Sequence, residues 1–314
     1  MTHLDCFCRV ATAFTRSGEL DEDGQRRWLQ RFIDSKTGVY VGSGGIGEGH
    51  ALTWDELRRV YEIGVSECKG KVPIYANIPE QFTARDTIAH AQHAIACGVE
   101  VVNIYGAEGR HEFKPTDLEL TSYFENVLNV IKHPVALAAQ PGVGYWLKPR
   151  IIADICNRYP QVVAVNLTGV PDSYFLELRE TVNRKLDYYV LITGSLNMLT
   201  LGAAGIIGAE MNIIPHTYRR YLDLYEQKKL DELGLVYADI KRYIAYTAQW
   251  NPAPTRWIKM AIIALKLPGW EGGIREPYMI PPKDEMQRFT DGLLRLRVPE
   301  ISEMARAAGL TIPG

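Results

Sequence analysis

The sequence predicts an α/β protein whose main body is a (β/α)8 TIM barrel with a C-terminal helical region. Three observations carry that reading. Short Val/Ile-rich runs recur eight times; they are continuously apolar rather than alternating; and helical patterns separate them. Continuous apolar runs suit strands of a parallel sheet buried on both faces. Alternation of such runs with helices is the pattern of a barrel, with a doubly wound sheet as the competing arrangement.

The strand-like runs are residues 8–14, 39–42, 72–77, 101–105, 135–139, 162–167, 189–193 and 205–208. Residues 21–35 form the first helical pattern, with Trp28, Leu29, Phe32 and Ile33 on one face. Thr53 and Glu56 have capping-box spacing and open a helix running to about Cys68. A helix over 83–97 is stopped by Gly98, and further helices are expected over 116–131, 149–158 and 174–183. From about Pro215 the strand signals cease, and helical patterns cover 218–227, 230–249, 255–265 and 283–296. The expected division is a barrel over 1–224 and a helical extension over 225–314, with Tyr237, Tyr243, Tyr246, Trp250 and Trp257 packing between them.

Bulk properties exclude several classes. The net charge of −2 gives no field for nucleic acid or anionic membrane, and no apolar run reaches the ~20 residues of a spanning helix. Met1 to Val10 has no basic segment followed by an apolar core, so no signal peptide is expected. Five irregularly spaced cysteines suggest neither a zinc site nor a disulfide framework, and fit a reducing, cytoplasmic setting.

Residues 38–50 read GVYVGSGGIGEGH, in which Gly42, Gly44 and Gly47 spell a dinucleotide-binding turn. In such a turn the helix begins inside the motif, so that its N-terminus meets the pyrophosphate. Here the helix start is Thr53, beyond the motif, and the residue twenty past Gly42 is Glu62 inside a helix. The nucleotide reading is rejected. In a barrel these glycines fall after the second strand, on the catalytic face, where they let backbone approach a ligand and offer amides to an anion.

At this point the whole chain resembles the dihydrodipicolinate synthase / N-acetylneuraminate lyase family. The resemblance rests on VATAFTRSGELDEDG, GIGEGHALTWDEL, LGAAGIIGAEMNIIP, WIKMAIIALKLPGW and IREPYMIPP, in family order. It implies a tetrameric lyase or dehydratase acting on 2-oxo acids through a lysine Schiff base on strand 6, whose positive charge serves as electron sink. In this chain the matching residue is Asn166, and an amide cannot form an imine. The family's strand 5 tyrosine is matched by Ala138, its carboxylate-binding arginine by Val143, and its two loop threonines by Gly45 and Ile46. Gly47 and Glu48 are retained. The resemblance therefore implies a divergent member, not expected to have standard dihydrodipicolinate synthase activity.

The strand ends leave a set of candidate residues. Glu210, Tyr105 and His111 are the candidate catalytic acid/base groups. Ser43, Gly45, Ile46, Gly47, Glu48, Asn103, Arg110, Gln140, Asn166 and Thr168 are the candidate substrate-binding residues. For Glu48 a structural role, holding loop amides, is favoured over a catalytic one. Glu210 could instead pair with Arg110, and Arg110 could replace the lost carboxylate clamp. Asn77 and Glu80 follow the third run. Cys6 and Cys8 read as core. No ligand spacing supports a metal on Glu48, Glu80, Glu108 or Glu210, so no metal or cofactor is expected. Two functions follow: a lyase-type enzyme on a small oxo or hydroxy acid, assembled as a homo-oligomer (dimer or homotetramer), or a non-catalytic metabolite-binding or structural homologue.

Overall fold

A computed structural model describes residues 3–109, 113–250, 254–276 and 278–312. Eight strands, β1 (Asp5–Arg9), β2 (Gly38–Val41), β3 (Ile74–Asn77), β4 (Val101–Tyr105), β5 (Val135–Ala139), β6 (Val162–Leu167), β7 (Asp187–Val190) and β8 (Gly205–Gly208), follow one another in a closed barrel. The ladders are parallel, with helices between successive strands. These are α1 (Glu22–Asp34), α2 (Trp54–Cys68), α3 (Ala84–Ala96), α4 (Asp117–Val130), α5 (Pro149–Arg158), α6 (Asp172–Thr181) and α7 (Ser195–Thr200). After β8 come α8 (Pro215–Glu226), α9 (Leu230–Thr247), α10 (Pro254–Ala264), α11 (Lys283–Arg295) and α12 (Pro299–Ala307). The (β/α)8 barrel with a C-terminal helical region is the fold the sequence pattern predicts.

The helix starts follow capping chemistry. Thr53 accepts from the Glu56 amide and Glu56 returns a bond to the Thr53 amide, the reciprocal box expected from the sequence. Thr116 and Glu119 form a second box at the start of α4. Gly98, at φ +90°, ends the turn after α3 in the left-handed region that glycine tolerates.

Some boundaries depart from expectation. β1 is Asp5–Arg9 rather than 8–14; Phe14 makes only an isolated antiparallel bridge to Leu20. Charged residues at both ends of β1 hide its apolar centre, Cys6-Phe7-Cys8, from a search for unbroken apolar runs. β7 likewise begins at Asp187, before the expected 189. The short α7 and the terminal α12 carry too few turns to show as periodic patterns.

Contacts divide the chain into two compact units, Met1–Pro73 with Ala209–Gly314, and Ile74–Gly208. In the first, α8 and α9 pack together and aromatic pairs fill the helical region: Tyr243 on Trp257 at 5.7 Å, and Trp250 on Phe289 at 5.2 Å. In the second, the β3–β8 ladder is backed by α3–α6, with Phe124, Ile152 and Phe175 fully buried.

Candidate active site

Three amides lie inside the β3–β6 sheet. Asn77 ends β3, Asn103 is central in β4, and Asn166 lies near the end of β6. Asn77 pairs in register with Asn103, and Asn166 with Ala138. Asn103 Nδ2 donates to Asn77 Oδ1 at 2.6 Å, and Asn166 Nδ2 donates to Asn103 Oδ1 at 2.8 Å. The second bond passes from β6 to β4 across β5. Side chains of next-nearest strands converge only on the concave side of a curved sheet, so these amides face the barrel interior. The intervening residues of β5, Ala136 and Ala138, present only methyl groups and leave the path open. All three amides are at most 3% exposed, and their mutual bonds offset the cost of burying them.

None of the eight strands carries a lysine. Lys132 and Lys148, which flank β5, are engaged elsewhere: Lys132 Nζ donates to the Leu128 carbonyl at 3.0 Å, and Lys148 pairs with Asp117 at 2.8 Å. Lys259 on α10 is 5% exposed, and burial pulls its ammonium below the ordinary lysine range, partly opposed by Glu48. Its ammonium donates to the Gly273 carbonyl at 3.2 Å and to the Thr12 carbonyl, and forms an ion pair with Glu48 Oε1 at 3.1 Å.

That lysine braces the glycine loop. Glu48 is fully buried at φ +52°, and its second carboxylate oxygen accepts from the Arg275 amide at 3.0 Å. Arg275 stacks over Phe14 at 4.3 Å and pairs with Glu56, holding that carboxyl down to about 2. Ser43 accepts twice, from the Gly47 amide at its hydroxyl and from the Gly49 amide at its carbonyl, both at 2.8 Å. The Glu48 amide closes on the Gly45 carbonyl. The amides of Gly47, Glu48 and Gly49 are therefore spent inside the loop. A Cβ at Gly47 would meet the Ser43 backbone nitrogen at 2.8 Å, so only glycine fits. Gly45 is exposed and Ile46 buried. Ser43, Gly45, Gly47 and Glu48 thus form one hydrogen-bonded unit; the sequence points to Ser43 and Glu48 but not to the partners of Glu48, Lys259 and Arg275.

The remaining candidates are distributed as follows. Tyr105 is 6% exposed, and its carbonyl accepts from the Tyr123 hydroxyl at 3.2 Å. Gln140 and Thr168 meet at the ends of β5 and β6, with the Thr168 hydroxyl 3.5 Å from Gln140 Oε1. Glu210 opens a short turn after β8 and accepts from the Ala209 amide at 3.1 Å. Its neighbours are Tyr218 of α8 and Tyr243 of α9, whose hydroxyls burial, then the Glu210 charge, push well above the phenol range. Arg110 and His111 lie outside the described residues, and with them the expected Glu210–Arg110 pair. All five cysteines are free thiols; burial pushes Cys6 up to about 12 and Cys8 upward too, which disfavours the thiolate. Among the described residues no three His, Cys, Asp or Glu side chains cluster to hold a metal, and no helix is long and apolar enough to cross a membrane.

A model of the "Dihydrodipicolinate synthetase family" matches residues 4–294. A 4-hydroxy-tetrahydrodipicolinate synthase of Xanthomonas axonopodis is 27% identical over 253 residues, covering 79% of this chain and 81% of that protein. Another, from Protochlamydia amoebophila, is 23% identical and covers 92% and 95%. Among solved structures, a prophage protein of the dihydrodipicolinic acid synthase family from E. coli, in complex with pyruvate, superposes with a TM-score of 0.83. It is 20% identical, with 94% of this chain and 99% of that one covered. CdNal of Clostridium difficile, in complex with mannosamine, gives 0.79 at 18% identity, covering 98% and 100%. These structural likenesses speak to the fold.

Proposed function

The chain belongs to the dihydrodipicolinate synthetase family, and from that premise we propose that it is a lyase-type enzyme acting on a small oxo or hydroxy acid without a lysine Schiff base. The observation that carries the proposal is Asn166. It stands on β6, where the family resemblance calls for the imine-forming lysine, and its amide is tied into the Asn103–Asn77 chain. An amide nitrogen shares its lone pair with its carbonyl and does not attack a ketone. It hydrogen-bonds one instead. The engagement of Lys259, Lys132 and Lys148 with other acceptors supports the same reading.

In this scheme the amide tier orients a substrate carbonyl, and charge that develops on its oxygen is met by hydrogen bonds rather than by an iminium. Tyr105, Glu210 and His111 are the proposed proton-transfer groups; Gln140, Thr168, Arg110 and the loop 43–48 are the proposed binding residues. Assembly as a homo-oligomer, dimer or tetramer, and residence in the cytoplasm belong to the proposal, supported by the family and by the five free thiols. A second reading, a non-catalytic metabolite-binding homologue, draws on the same amides, because a chain that satisfies itself is stable without chemistry.

A thermal-shift screen over 2-oxo acids, 2-hydroxy acids, sugar acids and divalent metals tests the function. A ligand at a hundred times its Kd stabilises the native state by roughly 2.7 kcal/mol. A hit among the acids, followed by turnover of that acid, is the expected outcome. Binding without turnover would favour the second reading, and silence across the panel would contradict the enzyme.

A further inference from the structure

We infer that Arg9 is an anion-binding residue of this barrel, placed to take the carboxylate of the substrate on β1. Arg9 is the last residue of β1 and pairs in register with Tyr40. Phe7 and Tyr40 share its face, with their rings 5.3 Å apart. The opposite face, Cys6 and Cys8, turns toward the surrounding helices: Cys6 Sγ is 3.1 Å from Met211 Sδ, and its thiol feels Arg219 of α8. Strand side chains alternate, so Arg9 points into the barrel, at the strand end where barrel enzymes do their chemistry.

What sets Arg9 apart is a shielded nitrogen on a guanidinium that has no acceptor among the described residues. Its Nε is shielded from solvent and has no hydrogen-bond partner, and no ion pair or hydrogen bond of its guanidinium occurs among the described residues. Two other arginines of this unit also have a shielded nitrogen without a hydrogen-bond partner, Arg31 at Nε and Arg219 at Nη2, but each is anchored through its other nitrogens. Arg31 donates to the Ile213 carbonyl at 2.9 Å, Arg219 to Asp223 at 2.8 Å, and Arg275 pairs with Glu56. A guanidinium stays charged at any pH the protein meets, and burying part of it without a counter-charge is costly. A chain keeps such a group where a ligand completes it, trading stability for binding. Its planar fork suits a carboxylate held through two parallel bonds. The oxo- or hydroxy-acid reading supplies the identity of the anion; the positive, unmatched site does not depend on it.

The test compares wild type, Arg9→Met and Arg9→Lys at fixed ionic strength, each titrated with sodium pyruvate, pyruvamide and sodium sulfate, with melting temperature and calorimetric affinity as readouts. Expected are pyruvate affinity at least tenfold weaker in Arg9→Met, partial retention in Arg9→Lys, and no discrimination between variants by the neutral pyruvamide. Ligand-free Arg9→Met should melt at or above wild type, which distinguishes an unmatched binding group from a structural one. Sulfate binding that Arg9→Met abolishes, with no response to pyruvate, would keep the anion site while removing pyruvate as its ligand. If no anion binds wild type, or if every anion binds Arg9→Met equally well, the assignment is wrong. A ligand-free Arg9→Met that melts well below wild type, or fails to fold, would equally overturn it, with Arg9→Lys then reporting whether charge alone restores the fold.

Discussion

Lys259→Met is the perturbation whose consequence follows most directly from the geometry. The substitution keeps the length of the side chain and removes its charge. Glu48, fully buried, would keep the Arg275 amide as partner and lose its cation at 3.1 Å. The carbonyls of Thr12 and Gly273 would lose a donor as well. Removing one member of a buried ion pair costs about 3–5 kcal/mol, chiefly because the other charge is left uncompensated. With an unfolding entropy of about 2.1 cal/mol/K per residue, a chain of this length should melt roughly 5–8 °C lower. Calorimetry of the single variant and of the double variant with Glu48→Gln checks the attribution: the double variant should recover at least half of the loss. A single variant as stable as wild type, or a double variant whose losses simply add, would refute the clamp.

Three other outcomes are expected. Asn166→Lys places an amine inside the barrel, where burial lowers its pKa and raises its nucleophilicity; borohydride should then trap pyruvate on it, and a folded variant that forms no adduct would show that residue 166 does not face a substrate ketone. Gly47→Ala should destabilise the protein by about 1–3 kcal/mol, since its Cβ would press on the Ser43 backbone at 2.8 Å; urea unfolding would show it. Glu56, held down to about 2 by Arg275 against an ordinary 4.5, contributes stability that is complete above the higher value and is lost as the pH falls toward the lower. The stability difference between wild type and Arg275→Gln should accordingly be flat near neutrality and shrink between those two values; a difference independent of pH would assign the effect of Arg275 to its carbonyl contacts alone.

The barrel was legible because its signals are local. Apolar runs such as Val135–Ala139 need no partner to be recognised, and the Thr53/Glu56 box declares a helix start within four residues. Asn166 is conspicuous for a similar reason, being an amide in an apolar run, and it does fall within β6. The braces were not. Lys259 and Glu48 are 211 residues apart in sequence (259 − 48), and a lysine within a helical pattern reads as solvated until the fold buries it. Arg9 has a visible signal, being the one charge in the expected strand 8–14, but the apolar letters of that run carry the expected strand past the true end of β1. The loop glycines announced close approach of backbone, yet three of the following amides bond within the loop itself, which spacing alone does not reveal.

The proposed chemistry proceeds without a lysine imine. Intact-mass spectrometry of the wild-type protein, incubated with pyruvate and reduced with sodium borohydride, tests it most directly, with Asn166→Lys as the positive control. Unmodified wild-type protein is expected beside a variant carrying one reduced pyruvate; a stable wild-type adduct, mapped by peptide digestion to any lysine of the chain, would show that an imine forms after all.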